Sequence, residues 1–592
     1  MSDVNVGLTA VRGVANGLSP IQTPSQNTVA ILMKRMRGVD GKVYVINSPE
    51  EDEEFFGGSY SGTYGAEVVA QLFTNSAPFR PTIYAARLVA SDAVAATGSL
   101  SGSGITIPLT AAQKGEEDKG AWANGYYGSL KVTPRDGSYT ATLSIKDSNG
   151  NTLEEGVFDS LAQLVEFLSL QSNYVTSGTV TLPTSPVSFT SVTLPTYSPT
   201  RTVEVVPASG LVKFQLDSSD NPQNIFYTGA SLVTGGTSVG TISSVSYQST
   251  GSVGTVYAYV FLESGHTLSG VGSGTLTSDW SIAEGQIVLD FTLSGGEDGN
   301  VLESDAYPTP TGGGLAVFDS TNAKITTVVD FFSPTMFVFG RDYASSKQDT
   351  FYVQSLSPTV TRESFTADFL PVVRSAAPSF GALYHGWTKV FVAHKNDFDI
   401  IPSIGYVIGA GFIKTPAAAG GFVHIPPAGL ATVAVGTTGI VPESFSQADI
   451  NFYAQQGGVN VIQSRQNVGS YIVTSRTTSS NSLYHSIHTI LQANYYQQIL
   501  QDNMLWALQV PNTPELKDRI VSYLNDYFFT EYENGALERS VPFSSAFSVL
   551  DRSGNDRKII DFEIRYIPSE ATESLVLRLN RNDGSLIVSL EN

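Results

Sequence analysis

The stretch TVAILMKRMRGVDGKVYVINSPEEDEEFFGGSYSGTYGAEVVAQLFTNSAPFRPTIYAARLV (residues 28–89) decides the fold. TVAILM (28–33) and KVYVIN (42–47) are short apolar runs that read as buried strands. GAEVVAQLFTNS (65–76) sets Val68, Val69, Leu72 and Phe73 on one face of a short helix, and TIYAARLV (82–89) is a further strand. Strands alternating with helices predict an α/β unit. The acidic run PEEDEEFFGG (49–58) reads as a solvated helix start, where the N-terminal dipole favours anions.

Upstream, residues 1–27 show no sustained period and read as an extended arm. Downstream, residues 101–299 are rich in Ser, Thr, Gly and Val, with turn signals at short intervals such as Asn149-Gly150. One helix interrupts them, SLAQLVEFLSL (160–170), with Ser160 as N-cap and Leu161, Leu164, Val165 and Leu168 on one face. The α/β texture returns over 300–480, with strands such as KITTVVDFF and TMFVFG. Residues 481–574 hold the longest helical patterns. NSLYHSIHTILQANYYQQILQDNMLWALQ repeats Leu483, Ile487, Leu491, Tyr495 and Ile499, and TPELKDRIVSYLNDYFF starts on Thr513 as N-cap with Pro514 at N1. In the tail, 575–592, Leu575, Leu577 and Leu579 alternate with Val576, Arg578 and Asn580. Asp583-Gly584 follows, and Leu586, Val588 and Leu590 alternate again. The expected fold class is therefore a multidomain α+β / α/β chain. It has a discontinuous core domain (28–100 and 300–480), a large β-rich inserted domain (101–299), a C-terminal domain (481–574) and two arms (1–27 and 575–592).

Bulk properties narrow the function. A chain of 592 residues exceeds one hydrophobic core, and 41% hydrophobic residues fill several. Only 15% are charged, which suits a subunit that buries its exterior against copies of itself. The balance of 54 acidic to 33 basic residues, −21 overall, argues against nucleic acid as a partner. Cysteine is absent, which excludes disulfides, thiolate metal sites and catalytic thiols. No run reaches 18 apolar residues and no secretory pattern opens the chain, so the expectation is a soluble protein with no membrane insertion, made in a cytoplasm.

A search for catalytic motifs assembles no active site. There is no phosphate-cradling G-x-x-x-x-G-K-[ST] and no G-x-S-x-G elbow. DSNGNT (147–152) departs from a calcium loop at positions six and twelve and reads as a hairpin turn. GGEDGN (295–300) offers Glu297 and Asp298 to a cation but reads as a Gly-rich turn. Among six histidines, His485 and His488 stand at i, i+3 without a supporting carboxylate and read as surface or interface residues. His385, His394 and His424 sit among apolar neighbours and read as packed. No catalytic residue, metal site or cofactor is expected.

Several segments in order resemble the tail sheath proteins of contractile phage tails and related injection machines. INSPEEDEEFFGG followed by YGAEVVAQLFTNSAPFRPTIYAARLV is similar to the family's strand, Phe-Gly-Gly turn, helix and strand. GAWANGYYGSLKVTP (120–134) resembles its Gly-x-Trp-Gly-Asn signature with Ala123 for the usual glycine, and FTLSGGEDG its Gly-Gly-x-Asp-Gly turn. ALYHGWTKVFV, with Gly386 for a proline, IPSIGYVIGAGF, with Ile404 as an extra residue, and GFVHIPPAG follow in the family's order. GGVNVIQSRQNVGSYIVTSRTTSSNSLYHSIHTILQ, ALQVPNTPELKDRIVSYLNDYFFTEYENGAL and IDFEIRYIPSEATESLVLRL complete it.

The resemblance implies a sheath-like core of mixed sheets and helices, and a non-enzymatic subunit that polymerises as stacked hexameric rings around a tail tube. It implies contraction from a metastable extended state to a shorter, wider one that drives the tube through a host envelope. The implied partners are copies of the chain, the tail tube protein, and baseplate and tail terminator proteins. The implied location is the tail sheath of a virion assembled in the host cytoplasm. Arms that add strands to neighbouring subunits place Leu575, Leu577, Leu579, Leu586, Val588 and Leu590 in inter-subunit strand donation. The resemblance also places the insert (101–299) on the outside and the C-terminal domain (481–574) toward the tube; Arg476 aligns with an arginine that is structural or at an interface, and Lys517 and Arg519 are candidates to touch the tube. Another virion protein (capsid or fibre), or a glycan hydrolase with a β domain, is the alternative.

Overall fold

The computed structural model describes residues 27–592 except 61, 136–137, 184–186, 195–200, 218–224, 250–254, 277–278, 393–395, 422, 443, 555–558, 571–573, 582–583 and 592; from 571 onward it describes backbone alone. The N-terminal arm before residue 27, His394 and Asp583 lie outside the described residues. The chain divides into two compact units, Met1–Val89 with Val301–Asn592, and Ala90–Asn300.

In the first unit, β1 (Thr28–Met33), β2 (Val43–Ile46), α1 (Pro49–Phe56), α2 (Gly65–Ser76) and β3 (Thr82–Arg87) precede the excursion. After it come β4 (Ile325–Val328), α3 (Pro334–Lys347), β5 (Phe351–Ser355), β6 (Gly381–His385), β7 (Trp387–Val392), β8 (Asp397–Ile401), β9 (Thr437–Val441), β10 (Val459–Arg465) and β11 (Gly469–Ile472). The main sheet runs β2-β3-β1-β4-β5-β6-β10-β11, and β8-β7-β9 form a small separate sheet. The inner strands β3 to β10 are parallel, and β2 and β11 close the edges antiparallel.

A parallel sheet is covered on both faces, which explains why every residue of TVAILM is buried. Val29, Ile31 and Met33 face a core that includes Val68, Val69 and Leu72 of α2. Ala30 and Leu32 face another, with Met336 and Phe337 of α3 and Phe365. The glycines of IPSIGYVIGAGF have a packing reason. A Cβ at Gly405 would lie 2.1 Å from the Val68 carbonyl oxygen of α2, and one at Gly409 2.7 Å from that of Leu72. Helix α1 starts as its sequence predicts, with Ser48 accepting from the Glu51 amide. Its acidic run is not uniformly solvated, however: Glu50, Glu53 and Glu54 are exposed, but Asp52 turns inward to Arg35 at 2.8 Å.

The second unit begins at Ala90, earlier than the expected residue 101, because Thr97–Gly102 forms a hairpin with Ile105–Gln113 and cannot be parted from it. It contains two hydrophobic clusters. One lies between a sheet ordered Val175–Ser177, Ile105–Gln113, Thr97–Gly102, a sheet ordered Ile287–Thr292, Tyr127–Arg135, Ser138–Lys146, Thr152–Phe158, and the helix Leu161–Leu170. The other lies in an eight-stranded antiparallel sheet within residues 192–282, around Phe214, Leu232 and Trp280. Ser160 caps the helix by accepting from Gln163, and Asp147 accepts from the Asn149 and Asn151 amides to close the DSNGNT turn.

The C-terminal part of the first unit holds α4 (Ile487–Asn503), α5 (Pro514–Glu533), the strand pair β12 (Phe547–Asp551) and β13 (Phe562–Tyr566), and the pair β14 (Ser574–Arg581) and β15 (Gly584–Glu591). Thr513 caps α5, which buries Leu516, Ile520, Leu524 and Phe528 as its spacing predicts. Helix α4 differs from its pattern. Ser482–Tyr484 form a separate 3-10 turn, so Leu483 is 71% exposed. Ile487 and Ile499 are buried as the spacing predicts, and the inward side also carries His488, Gln492 and Asn494. Gln492 can be buried because its amide donates to Tyr496 Oη at 2.7 Å and to the Ala536 carbonyl at 2.8 Å.

Candidate assembly surfaces

Strands β14 and β15 pair with each other in antiparallel register, Leu575 opposite Leu590, Leu577 opposite Val588 and Leu579 opposite Leu586. Among the described residues neither joins another sheet. Within one chain the tail is thus a closed two-stranded ribbon. Strands β12 and β13 also form a sheet of two. Both pairs have backbone edges without a partner strand among the described residues, the groups that strand addition uses. Between α4 and α5, Leu505, Leu508 and Val510 are exposed, as is Phe529 on α5. Contiguous exposed apolar residues mark contact surfaces more often than chance.

Lys517 and Arg519 both have partners within the chain. Lys517 Nζ lies 2.9 Å from Asp551 Oδ2 on β12, and hydrogen bonds from Ser553 and Lys517 pull Asp551 down to about 2. Arg519 stacks its guanidinium 4.7 Å above the Trp506 ring. Each is half-buried.

The backbone of Arg476 is held by Asn460, a fully buried residue inside β10. Asn460 Oδ1 accepts from the Arg476 amide at 2.6 Å, and its Nδ2 donates to the carbonyls of Arg476 at 2.8 Å and of Leu383 on β6 at 3.2 Å. The Asn side chain thereby locks the SRTT segment onto the main sheet. The lone Asn in the apolar run VNVI is the signal that marks it, since a buried amide needs partners for every polar atom.

GAWAN and GGEDG, 172 residues apart in sequence between Asn124 and Gly296, meet in the second unit. Asn124 Nδ2 donates to the Gly296 carbonyl and the Gly296 amide donates to Asn124 Oδ1, both at 2.8 Å. Asp298 Oδ1 accepts from the Ala121 amide at 2.9 Å. Gly296 is required by close approach, for a Cβ there would stand 2.4 Å from the Gly120 carbonyl. The carboxylate considered for a cation is engaged in closing this turn.

His385 and His488 are both 1% exposed, so His488 is not a surface residue. His385 Nε2 is 3.1 Å from the Val360 carbonyl and His488 Nε2 is 3.3 Å from that of Ser569. Burial pushes both imidazoles down to about 4, so they are neutral at pH 7. Among the described residues no group of three or more His, Cys, Asp or Glu could hold a metal, and no helix is long and apolar enough to cross a membrane.

No family model matches the sequence, and no curated protein matches it significantly. Solved structures do match. The sheath tail protein of Listeria innocua aligns over 98% of this chain and 98% of its own, at 12% identity and a TM-score of 0.51. The chain has the sheath tail protein fold. The sheath tail protein of Desulfitobacterium hafniense aligns over 97% and 98%, at 11% identity and a TM-score of 0.49. The contracted sheath complex of an extracellular contractile injection system covers 44% of this chain and 71% of its own, at 17% identity and a TM-score of 0.36. Within the sheath tail protein fold, the multidomain mixture of helices and several sheets agrees with the fold class read from the sequence.

Proposed function

We propose that this chain is the structural subunit of a contractile tail sheath. It polymerises as stacked hexameric rings around a tail tube, and contracts from a metastable extended lattice to a shorter, wider one that pushes the tube through a host envelope. Its role is mechanical, with no catalysis and no cofactor. The observation that carries this reading is the match to the Listeria innocua sheath tail protein over nearly all of both chains.

Strand addition links the copies. Leu575, Leu577 and Leu579 on β14 and Leu586, Val588 and Leu590 on β15 supply the alternating side chains that fix register, while backbone hydrogen bonds hold neighbouring subunits together through the rigid-body rotation. A small free-energy gain per subunit, on the order of 1–2 kcal/mol, becomes large over a cooperative array. Lys517 and Arg519 are the cations placed toward an acidic tube, each held ready by its intrachain partner. Arg476 serves structure through the Asn460 lock. The domain plan assigns residues 481–574 to the tube side and the insert to the outside. Baseplate and terminator proteins cap the lattice, which assembles in the host cytoplasm and resides in the virion tail.

Negative-stain microscopy of the purified protein tests the reading. Hollow cylinders with a sixfold end view are the expected result, and a protein that stays monomeric at every concentration and salt overturns it.

A further inference from the structure

The four-stranded sheet of the second unit (Ile287–Thr292, Tyr127–Arg135, Ser138–Lys146, Thr152–Phe158) has one face in the core and one face open. Leu130, Val132, Leu143, Ile145 and Leu289 fill the inner face. The alternate residues stand on the open face and line a cavity of about 580 Å³. The register makes this face a bowl. Asp290, Ser129, Ser144 and Glu155 lie opposite one another in one row across all four strands. The two carboxylate-bearing residues are thus about 14 Å apart at ordinary strand spacing, with only serines between them. The flanking rows set Tyr127 opposite Lys146 and Lys131 opposite Thr142. Short side chains therefore occupy the centre and long ones the rim, which hollows the face.

A solvated sheet face gains stability when opposite charges stand in cross-strand pairs. Here each charge stands opposite neutral residues: Asp290 and Glu155 opposite serines, Lys146 opposite Tyr127 and Thr152, Lys131 opposite Val288 and Thr142. Among the described residues none of the four makes an ion pair, and neither they nor Ser129 and Ser144 make a side-chain hydrogen bond. Asp290 and Glu155 are exposed, and Lys131, Lys146 and both serines are half-buried. No other charged residue lines the cavity, so its two cations and two anions cancel. A single ion would meet its own sign on two sides of such a bowl, and an apolar ligand would meet little apolar wall. A polyol suits it. Each hydroxyl both donates and accepts, two neighbouring hydroxyls can share one carboxylate, and the C–H face of a sugar ring can lie against an aromatic one.

We propose that this bowl binds a neutral oligosaccharide stretch of a glycan chain. Asp290 and Glu155 accept from its hydroxyls, Lys131 and Lys146 donate to its oxygens, and Tyr127, 39% exposed at the rim, covers a ring face. The volume falls within the range of small-molecule sites. The bowl lies wholly in the second unit, and its chemistry is independent of the sheath reading.

The intact chain, held unassembled, is screened on an array of neutral gluco-, galacto-, manno- and N-acetylhexosamine oligosaccharides with sialylated and sulfated members. Neutral members bind. The strongest neutral trisaccharide then gives saturable saturation-transfer NMR signals that are the same at about 50 and about 500 mM salt, since a ligand without net charge is not screened. Asp290→Asn and Glu155→Gln each keep the shape of the bowl and weaken that trisaccharide by about tenfold, the effect of losing a charge-assisted hydrogen bond. Ser144→Leu fills the centre and abolishes binding, and it decides the matter should a carboxylate variant misfold. Thr140→Val, on the same face beyond the bowl, leaves binding unchanged. No neutral glycan bound, binding confined to sialylated or sulfated members, or equal binding by the parent and the bowl variants overturns the proposal.

Discussion

The main sheet ends on two short strands, β2 and β11, of four residues each, while the C-terminal ribbon consists of two eight-residue strands that pair only with each other among the described residues. Short edge strands discourage pairing with another chain. An isolated two-stranded ribbon is marginal in water and gains from a third strand. One region thus ends its hydrogen-bond ladder within the chain, and the other leaves a ladder to be continued. On the proposed reading, rigidity and connectivity belong to different sheets, which is what a lattice would need if its subunits turned while staying linked. Substitutions in the first region should act on stability, and those in the second on assembly.

The largest effect is expected at the centre of the main sheet. Phe351 on β5 is fully buried and lies 6.0 Å from Phe412. Phe351→Ala should cost about 3–5 kcal/mol in urea unfolding of the unassembled chain. A loss below about 1 kcal/mol would mean that this sheet is not the rigid body.

A pH effect of similar size follows from His385 and His488. Their unfolded imidazoles titrate near the ordinary value of 6.5, but burial holds the folded ones near 4. Between those values the unfolded chain binds more protons, so this stability is present above pH 6.5 and is lost as pH falls toward 4, up to about 3 kcal/mol for each histidine. Asp52 works in the opposite direction. Burial outweighs Arg35 and raises its carboxyl to about 6, which favours the folded chain at low pH and less so as pH rises through 6. His385→Leu should therefore lose less stability than the parent between pH 6.5 and 4, measured as the change in urea midpoint. Parallel profiles for the two chains would refute the assignment.

Much of the main sheet was legible in the sequence because buried parallel strands are written as apolar runs, as in TVAILM and KITTVVDFF. TMFVFG, read as a strand on the same ground, instead lies in α3, where Ser333 caps the helix and Met336 and Phe337 are on its buried face. The caps at Ser160 and Thr513 were legible because each is a local chain signal. Residues whose role depends on distant partners were not. Asp52 looked like its exposed acidic neighbours, although it shares the inward side of α1 with Phe56 one turn later. His488, Gln492 and Asn494 look polar and turn inward because carbonyls of Ser569, Ala536 and Thr350, which approach only in the fold, receive them. Lys517 and Arg519 read as a cationic face, but Asp551 and Trp506, which approach only in the fold, engage both. Asn460 belongs to this class and provides the intermediate test. Asn460→Ala removes the lock on Arg476 and should cost about 2 kcal/mol, with Asn460→Asp no better, since a carboxylate cannot donate to the Leu383 and Arg476 carbonyls.

The smallest effect on stability should come from the largest change to the chain. Deleting residues 575–592 removes β14 and β15, which pair with no other described strand, so the urea midpoint of the unassembled protein should move by no more than about 0.5 kcal/mol in equivalent stability. If the tail donates a strand as proposed, assembly should nevertheless fail, because the donated strand is gone. The doubly substituted Leu586→Asp, Val588→Asp chain keeps the length and the turn but sets charges into the alternating face of β15, and should fail in the same way. Adding a synthetic peptide of residues 584–592 to the truncated chain separates the two ways of failing. If the tail acts by supplying a strand, the peptide binds the truncated chain without restoring cylinders, since it carries no covalent link to a second subunit. If cylinders form from the truncated chain alone, connectivity resides elsewhere, and the contrast between the two sheets has no mechanical meaning.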